Sequence, residues 1–348
     1  MAAGFNAANA ASGAGGRCAR AYSGEPEMCF KSVTTVAAAM LFAATACAQD
    51  NFPSRPIRIL CGFGVGGGTD VVARVIGQKM TDHWGQGVVV DNRTGAGGII
   101  AAETLARANP DGHSLIIVAV GHAFAASYYK KLPYDTLKDF AGVTSVSDAA
   151  NVLVVAPQIK VKSMRELIDY NKSHAGQVNF ASAGISSAAY INAELFNQAA
   201  GAKPVHVPYK TMPDALTNII AGNVQFVFSS VSSAVALIKA NRLNALAVST
   251  KTRSPALPEV PTMAESGMPG FDFSVWYGLL APAGTPKPVK DKLAKEVGRI
   301  LALQDVKDRL LTLGATPRPG TPAQFDELVR TEVARMAKLI KDVGIATE

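Results

Sequence analysis

The residues best suited to chemistry sit in two loops of small side chains. The first runs Gly62-Phe63-Gly64-Val65-Gly66-Gly67-Gly68-Thr69-Asp70. Glycine-rich turns expose backbone N–H groups, and a helix starting at Thr69 adds its positive end. Together they suit an anion without any Arg or Lys. The second loop, Ser182-Ala183-Gly184-Ile185-Ser186-Ser187, also precedes a helix and adds hydroxyls. Two such loops, one per lobe, suit the two ends of a small anion. Two roles are open to Asp70. It meets a ligand amine or water, or it is a first-turn acid paired with Arg74. Ser186 and Ser187 either reach a ligand or cap their helix. His122 follows a strand and is placed at the cleft, whereas His206 lies inside a strand and reads as structural.

A rival reading uses the same glycines. Gly62-x-Gly64-x-x-Gly67 follows a strand and precedes a helix, as in dinucleotide-binding folds, and Asp91 follows the next strand. This alternative is an NAD(P)-dependent oxidoreductase. The motif is weak in so glycine-rich a run. Asp91 also lies farther on than the roughly 20 residues usual for a ribose-binding acid. Nucleophile-elbow, zinc-protease, dithiol and P-loop motifs are absent from the sequence. The histidines at 83, 113, 122, 174 and 206 lack metal-ligand spacing. No catalytic residue, metal or cofactor is therefore expected, and the chain is read as a binder, not an enzyme.

Those loops need strands and helices behind them. Ile57–Phe63 reads as a buried strand and Thr69–Trp84 as a helix with Val72, Val75, Ile76 and Met80 on one face. The alternation continues through Leu243–Val248. A strand follows at Phe273–Ala281, and three helices close the chain. Ser163 with Glu166, and Thr321 with Gln324, spell capping boxes. Such alternation predicts α/β architecture with parallel sheets and helices on both faces, and the length favours two sheets. Ligands then sit beyond the carboxyl ends of strands.

Composition agrees. The chain has 348 residues, 48% hydrophobic and 18% charged, with a formal net charge of +7. The charge is scattered, without the basic runs of a nucleic-acid binder, so no nucleic-acid partner is expected. Val33–Ala46 is uncharged and too short for a bilayer-spanning helix of about 20 residues. It ends at Ala46-Cys47-Ala48, a cleavage pattern. Residues 1–48 therefore read as a leader and cleavable signal peptide, with Met1 or Met28 as start and Gln49 as the first mature residue. Cys47 offers the rival lipidation site. Cys18, Cys29 and Cys47 fall in that segment, which leaves Cys61 alone, a buried small hydrophobe in a strand. The expected location is the periplasm.

Ordered blocks then carry a resemblance from Pro53 to about Val343. They include Pro56-Ile57-Arg58, the loop ending Gly66-Gly67-Gly68-Thr69-Asp70, VVVDNRTGAGG (88–98), NPDGHSL (109–115), LPYDTLKDF (132–140), HVPYK (206–210), LPEVPTMAESG (257–267) and WYGLLAPAGTP (276–286). The chain resembles the Bug proteins, periplasmic solute receptors of tripartite tricarboxylate transporters. That resemblance implies a two-lobed type II periplasmic-binding-protein fold, the Venus flytrap, with two crossovers. Lobe 1 would hold residues 49–149 plus 250–348, and lobe 2 residues 150–249. It also implies a small carboxylate ligand: a dicarboxylate, a citrate-like acid or an aromatic acid. The implied partners are membrane transporter subunits or a sensor, and the receptor itself is expected to be a monomer.

In the family, backbone groups and ordered waters hold the carboxylate. The matching positions are Phe63, Gly66, Gly67, Thr69 and Asp70 in the first loop and Ala183, Gly184, Ser186 and Ser187 in the second. His122 and Ser229 complete the expected site. This chain departs from the family at Gly62, Gly68, Tyr190, Thr211 and Ser229. Relatives often carry Pro where Gly68 stands, and Asp where Ser229 stands. The last change removes a partner for a ligand amine, so a plain carboxylate is expected over an amino acid.

Overall fold

A computed structural model describes residues 52–348. The leader, the signal segment and its three cysteines lie outside the described residues. From Ile57 the chain alternates strand and helix: β1 (Ile57–Cys61), α1 (Gly68–Trp84), β2 (Val88–Asn92), α2 (Ile99–Ala106), β3 (Ser114–Ala119), α3 (Val120–Tyr128) and β4 (Phe140–Ala149). It continues with β5 (Asn151–Val155), α4 (Met164–Ser173), β6 (Asn179–Ser182), α5 (Ala188–Ala200), β7 (Val205–Pro208), α6 (Met212–Ala221), β8 (Phe226–Ser230), α7 (Val231–Lys239) and β9 (Asn244–Val248). Last come β10 (Val275–Pro282), α8 (Lys287–Ala302), α9 (Gln304–Thr312), β11 (Ala315–Pro317) and α10 (Pro322–Val343).

The strands form two sheets, and each anchors one lobe. The six-stranded sheet has the order β11-β4-β10-β3-β1-β2, the five-stranded sheet β7-β6-β8-β5-β9. The chain passes between sheets twice, from β4 to β5 and from β9 to β10. One serine ties the two passages together. Ser249 Oγ accepts from Asn151 N–H at 3.1 Å and donates to the Phe273 carbonyl at 2.8 Å. Its own N–H donates to the Asn151 carbonyl at 2.8 Å.

The sheets are not wholly parallel, contrary to the expectation from alternation. β1 pairs in parallel with β2 and β3, and β6 with β7 and β8. β10 runs antiparallel to β3 and β4, and β5 runs antiparallel to β8 and β9. The cause is the crossing itself. Each passage delivers the chain to the cleft-side end of a new sheet. Its first strand must therefore run away from the cleft while the helix-linked strands run toward it.

Local signals explain most of the helices. The capping box at α10 is present: Thr321 Oγ1 accepts from Gln324 N–H at 3.2 Å, and Gln324 Oε1 accepts from Thr321 N–H at 2.8 Å. At α4 only half of it forms. Ser163 Oγ accepts from Glu166 N–H, but the Glu166 carboxylate takes the Lys162 N–H instead. The cores are largely aliphatic, with Phe196 of α5 packed on Phe226 and Phe228 of the second sheet, and Phe180 beside Phe226, in one aromatic cluster. Each such buried ring contributes roughly 1.5–3 kcal/mol relative to exposure.

Candidate ligand-binding site

A cavity with ≈ 500 Å³ of empty volume, counting its open mouth, lies between the lobes. Helix starts dominate its wall. Gly67, Gly68 and Thr69 open α1, and Ala119 is the N-cap of α3. Ser187, Ala188 and Ala189 open α5, Met212 opens α6, and Ser230 is the N-cap of α7. The first N–H groups of a helix lack intrahelical partners and carry the positive end of its dipole. At α1, α3 and α7 no side chain caps them. At α5 the Ser187 hydroxyl takes only the Tyr190 N–H, so those of Ala188 and Ala189 remain for a ligand. Among the described residues, no Asp, Glu, Lys, Arg or His lines the cavity. The wall thus presents the positive ends of helices without one cationic side chain. Phe63, Ala183, Phe228 and Val275 supply apolar surface.

The first loop is held by Asp70 rather than offered by it. Asp70 is buried, and its carboxylate accepts from Gly66 N–H at 3.0 Å, Arg74 Nε at 3.0 Å and Asn92 Nδ2 at 2.9 Å. Burial pushes its pKa up, but the bonds from Arg74, Gly66 and Asn92 outweigh that and hold it below the usual carboxylate range. Its acceptors face the loop and not the cavity. Gly66, at φ +81, is thereby fixed in a left-handed turn that glycine adopts without strain.

The lobes meet on glycines. Ser233 Oγ, from α7, donates to the Gly66 carbonyl at 2.6 Å. A β-carbon built on Gly64 would fall against the Thr211 side chain. One on Gly97 would lie 2.8 Å from Ser186 Cβ, and one on Gly121 would run into the Ser186 carbonyl. One on Gly68 would fall on the Tyr277 hydroxyl and 3.2 Å from Ser230 Cβ. These glycines are landing points for the second lobe.

The expected site residues therefore separate. Phe63, Gly67, Thr69, Ala183 and Ser187 line the cavity. Gly66 and Asp70 shape the first loop behind it. Gly184, at φ +101, turns the second loop, and its carbonyl accepts from Ser187 Oγ at 2.6 Å. Ser186 is buried against Gly97 and Gly121, its hydroxyl unpartnered. Ser229 is buried and donates to the Ser230 carbonyl; Ser230 is the one that reaches the cavity. His122 packs away from the cavity, stacked on Tyr134 at 5.8 Å and edge-on to Phe140 at 5.1 Å. Of the lining residues absent from the expected site, Asn151, Val275 and Tyr277 sit at the beginnings of the crossover strands β5 and β10, whereas ligands were expected at strand ends. A polar Asn151 between the apolar runs 149–150 and 152–156 was the available signal.

The rival dinucleotide reading finds no support. Asp91 is engaged by Arg58 and Arg93. Gly62 backs onto Gly98, and Gly64 and Gly68 face Thr211 and Tyr277. The space left fits a small molecule rather than a dinucleotide.

His122 and His206 carry a pH consequence. Burial lowers each pKa to about 4. His122 Nε2 lacks a partner; His206 Nε2 lies 2.7 Å from Ser182 Oγ. The folded rings stay neutral while the unfolded chain takes up protons below about 6.5. Stability is thus level above that pH and falls as pH drops toward 4, by up to about 1.4 kcal/mol per pH unit for His122. Thermal melts between pH 7 and 4 should show this decline, and His122→Leu should flatten it. An unchanged slope in that variant would remove His122 as a cause.

Two lobes with a dipole-lined cavity between them define a solute-binding protein of the periplasmic type. Residues 72–345 match the family described as tripartite tricarboxylate transporter family receptor, and the chain belongs to it. This is a family of receptors, not of enzymes. A UPF0065 protein from the tcbD-tcbE intergenic region of Pseudomonas sp. strain P51 is 38% identical over 84% of this chain and 87% of its own length. Among solved structures, the periplasmic binding protein BugD is 33% identical with a TM-score of 0.82, covering 85% of this chain and 100% of its own. MatC from Rhodopseudomonas palustris, with bound malate, is 36% identical with a TM-score of 0.79, covering 83% and 100%.

Proposed function

We propose that this receptor captures a small carboxylate for tripartite tricarboxylate-type uptake or sensing. The observation that carries it is the convergence of the α1, α3, α5, α6 and α7 starts on one cavity whose wall holds no charged side chain. Such a wall favours an anion small enough for lobes to close around it. The malate in MatC supports the same class. Phe63, Gly67, Thr69, Ala183 and Ser187 touch the ligand; Gly66, Asp70, Gly184 and Ser186 hold the loops that do so. Residues 49–149 with 250–348 form one lobe and 150–249 the other, hinged at the passages joined by Ser249. The protein is exported by its signal peptide and cleaved after Ala48, acts as a monomer, does no chemistry on its ligand, and hands it to membrane subunits or a sensor.

The test is a melting and calorimetric screen of dicarboxylates, tricarboxylates, aromatic acids, aspartate and glutamate. A ligand at a hundredfold its Kd adds about 2.7 kcal/mol. A dicarboxylate, tricarboxylate or aromatic acid should raise Tm by several degrees, with the amino acids binding more weakly. A screen without any carboxylate response would refute the proposal, and tighter binding of aspartate or glutamate would refute the preference for plain acids.

A further inference from the structure

The hydroxyls of the cavity wall are mostly spent within the protein. Thr69 Oγ1 accepts from Cys61 Sγ at 3.3 Å. Ser187 Oγ is held by Gly184 and Tyr190. Ser230 Oγ pairs with Ser233 Oγ at 2.7 Å and accepts from Ser232. Besides the Thr69 hydroxyl proton, two polar side chains of the wall remain. Asn151 and Tyr277 are 3% and 4% exposed, and neither side chain has a hydrogen-bond partner among the described residues. Their backbones are fully placed by β5 and β10. Their polar tips open onto the cavity rather than being sealed in the protein, so they are free to bond to whatever enters it.

Their positions add meaning. Tyr277 belongs to the six-stranded sheet and Asn151 to the five-stranded one, each at the start of a crossover strand. Tyr277 reaches its place because position 68 has no side chain: a β-carbon there would fall on its hydroxyl. Burial keeps that hydroxyl protonated, with the nearby Cys61 adding to the effect. It can therefore donate as well as accept, and the Asn151 amide likewise does both. An ionised carboxylate only accepts, so it would leave the Asn151 amide oxygen without a donor. A hydroxyl can accept from one of the two side chains and donate to the other.

We propose that Asn151 and Tyr277 determine specificity by reading a hydroxyl on the ligand, making the preferred solute a hydroxy-substituted carboxylate. This rests on the carboxylate reading above. Because the two residues start strands of different lobes, a hydroxyl held by both also links ligand identity to closure.

The experiment is calorimetric titration of wild type, Tyr277→Phe and Asn151→Ala with acid pairs differing by one hydroxyl. The pairs are succinate and malate, tricarballylate and citrate, and 3-phenylpropanoate and 3-phenyllactate. Wild type should bind the hydroxy member of at least one pair tenfold or more tightly, and each variant should cut that ratio to threefold or less. A purely structural role would weaken both members alike and leave the ratio intact, which overturns the proposal. Binding of the acids without hydroxyl preference overturns it alone. Binding of none overturns the carboxylate reading and this inference with it.

Discussion

Gly121→Ala is expected to weaken carboxylate binding roughly tenfold to a hundredfold while the unliganded protein melts at or above the wild-type temperature. Gly121 lies in α3, and the nearest atoms to a β-carbon there all belong to Ser186 of the opposite loop, its carbonyl carbon at 3.0 Å. The added methyl finds room within its own lobe, where alanine favours helix over glycine. It meets backbone only when the lobes close. Forcing a methylene into a packed contact costs about 1–3 kcal/mol, which is charged entirely to the closed, ligand-holding state. Calorimetry with the best carboxylate from the screen, beside a melt of the unliganded protein, separates the effects. Unchanged affinity would mean that ligand is held without Ser186 reaching Gly121.

The second large effect is electrostatic. Ala188→Asp places a negative charge on the first residue of α5, inside the cavity. An acid at a helix start is favourable for the helix, so the fold should survive. The ligand should not stay. Two like charges about 4 Å apart at an effective dielectric near 20 repel by about 4 kcal/mol, roughly a thousandfold in affinity. Ala188→Asn has the same shape without the charge and should lose far less. If both variants weakened binding equally, size and not charge would be the cause, and the dipole-lined wall would not be what selects an anion.

Much of the frame was legible because its signals are local. The amphipathic stripe of α1, the Thr321 box and the apolar runs of β1 and β3 each announce an element from neighbouring residues. α3 escaped notice because VGHAFAASY is buried on nearly all sides and shows no period. β4 escaped because FAGVTSVSDA mixes small polar residues into a strand buried along most of its length. The site was half legible for the same reason. Helix starts at Thr69 and Ser187 can be read from caps and glycines. That Ser186 seats on Gly97 and Gly121, or that Asn151 faces the same space as Tyr277, depends on how two lobes meet. The glycines of the first loop illustrate the limit. Their spacing suggested a phosphate cradle, yet Gly64 and Gly68 are bare because Thr211 and Tyr277 need the room.

The charge-free wall also bears on where such a receptor can work. Surface lysines and arginines lose their grip on an anion as salt rises, because mobile ions screen them within about 10 Å at 0.1 M. Under the proposed binding mode, helix ends meet the anion between lobes that have closed on it, and mobile ions are shut out with the water. The surface charge behind the +7 total acts on the rate of encounter, and that part is salt-sensitive. The hold on a captured solute is not. Brackish and dilute surroundings should change how fast the lobes catch their ligand far more than how long they keep it.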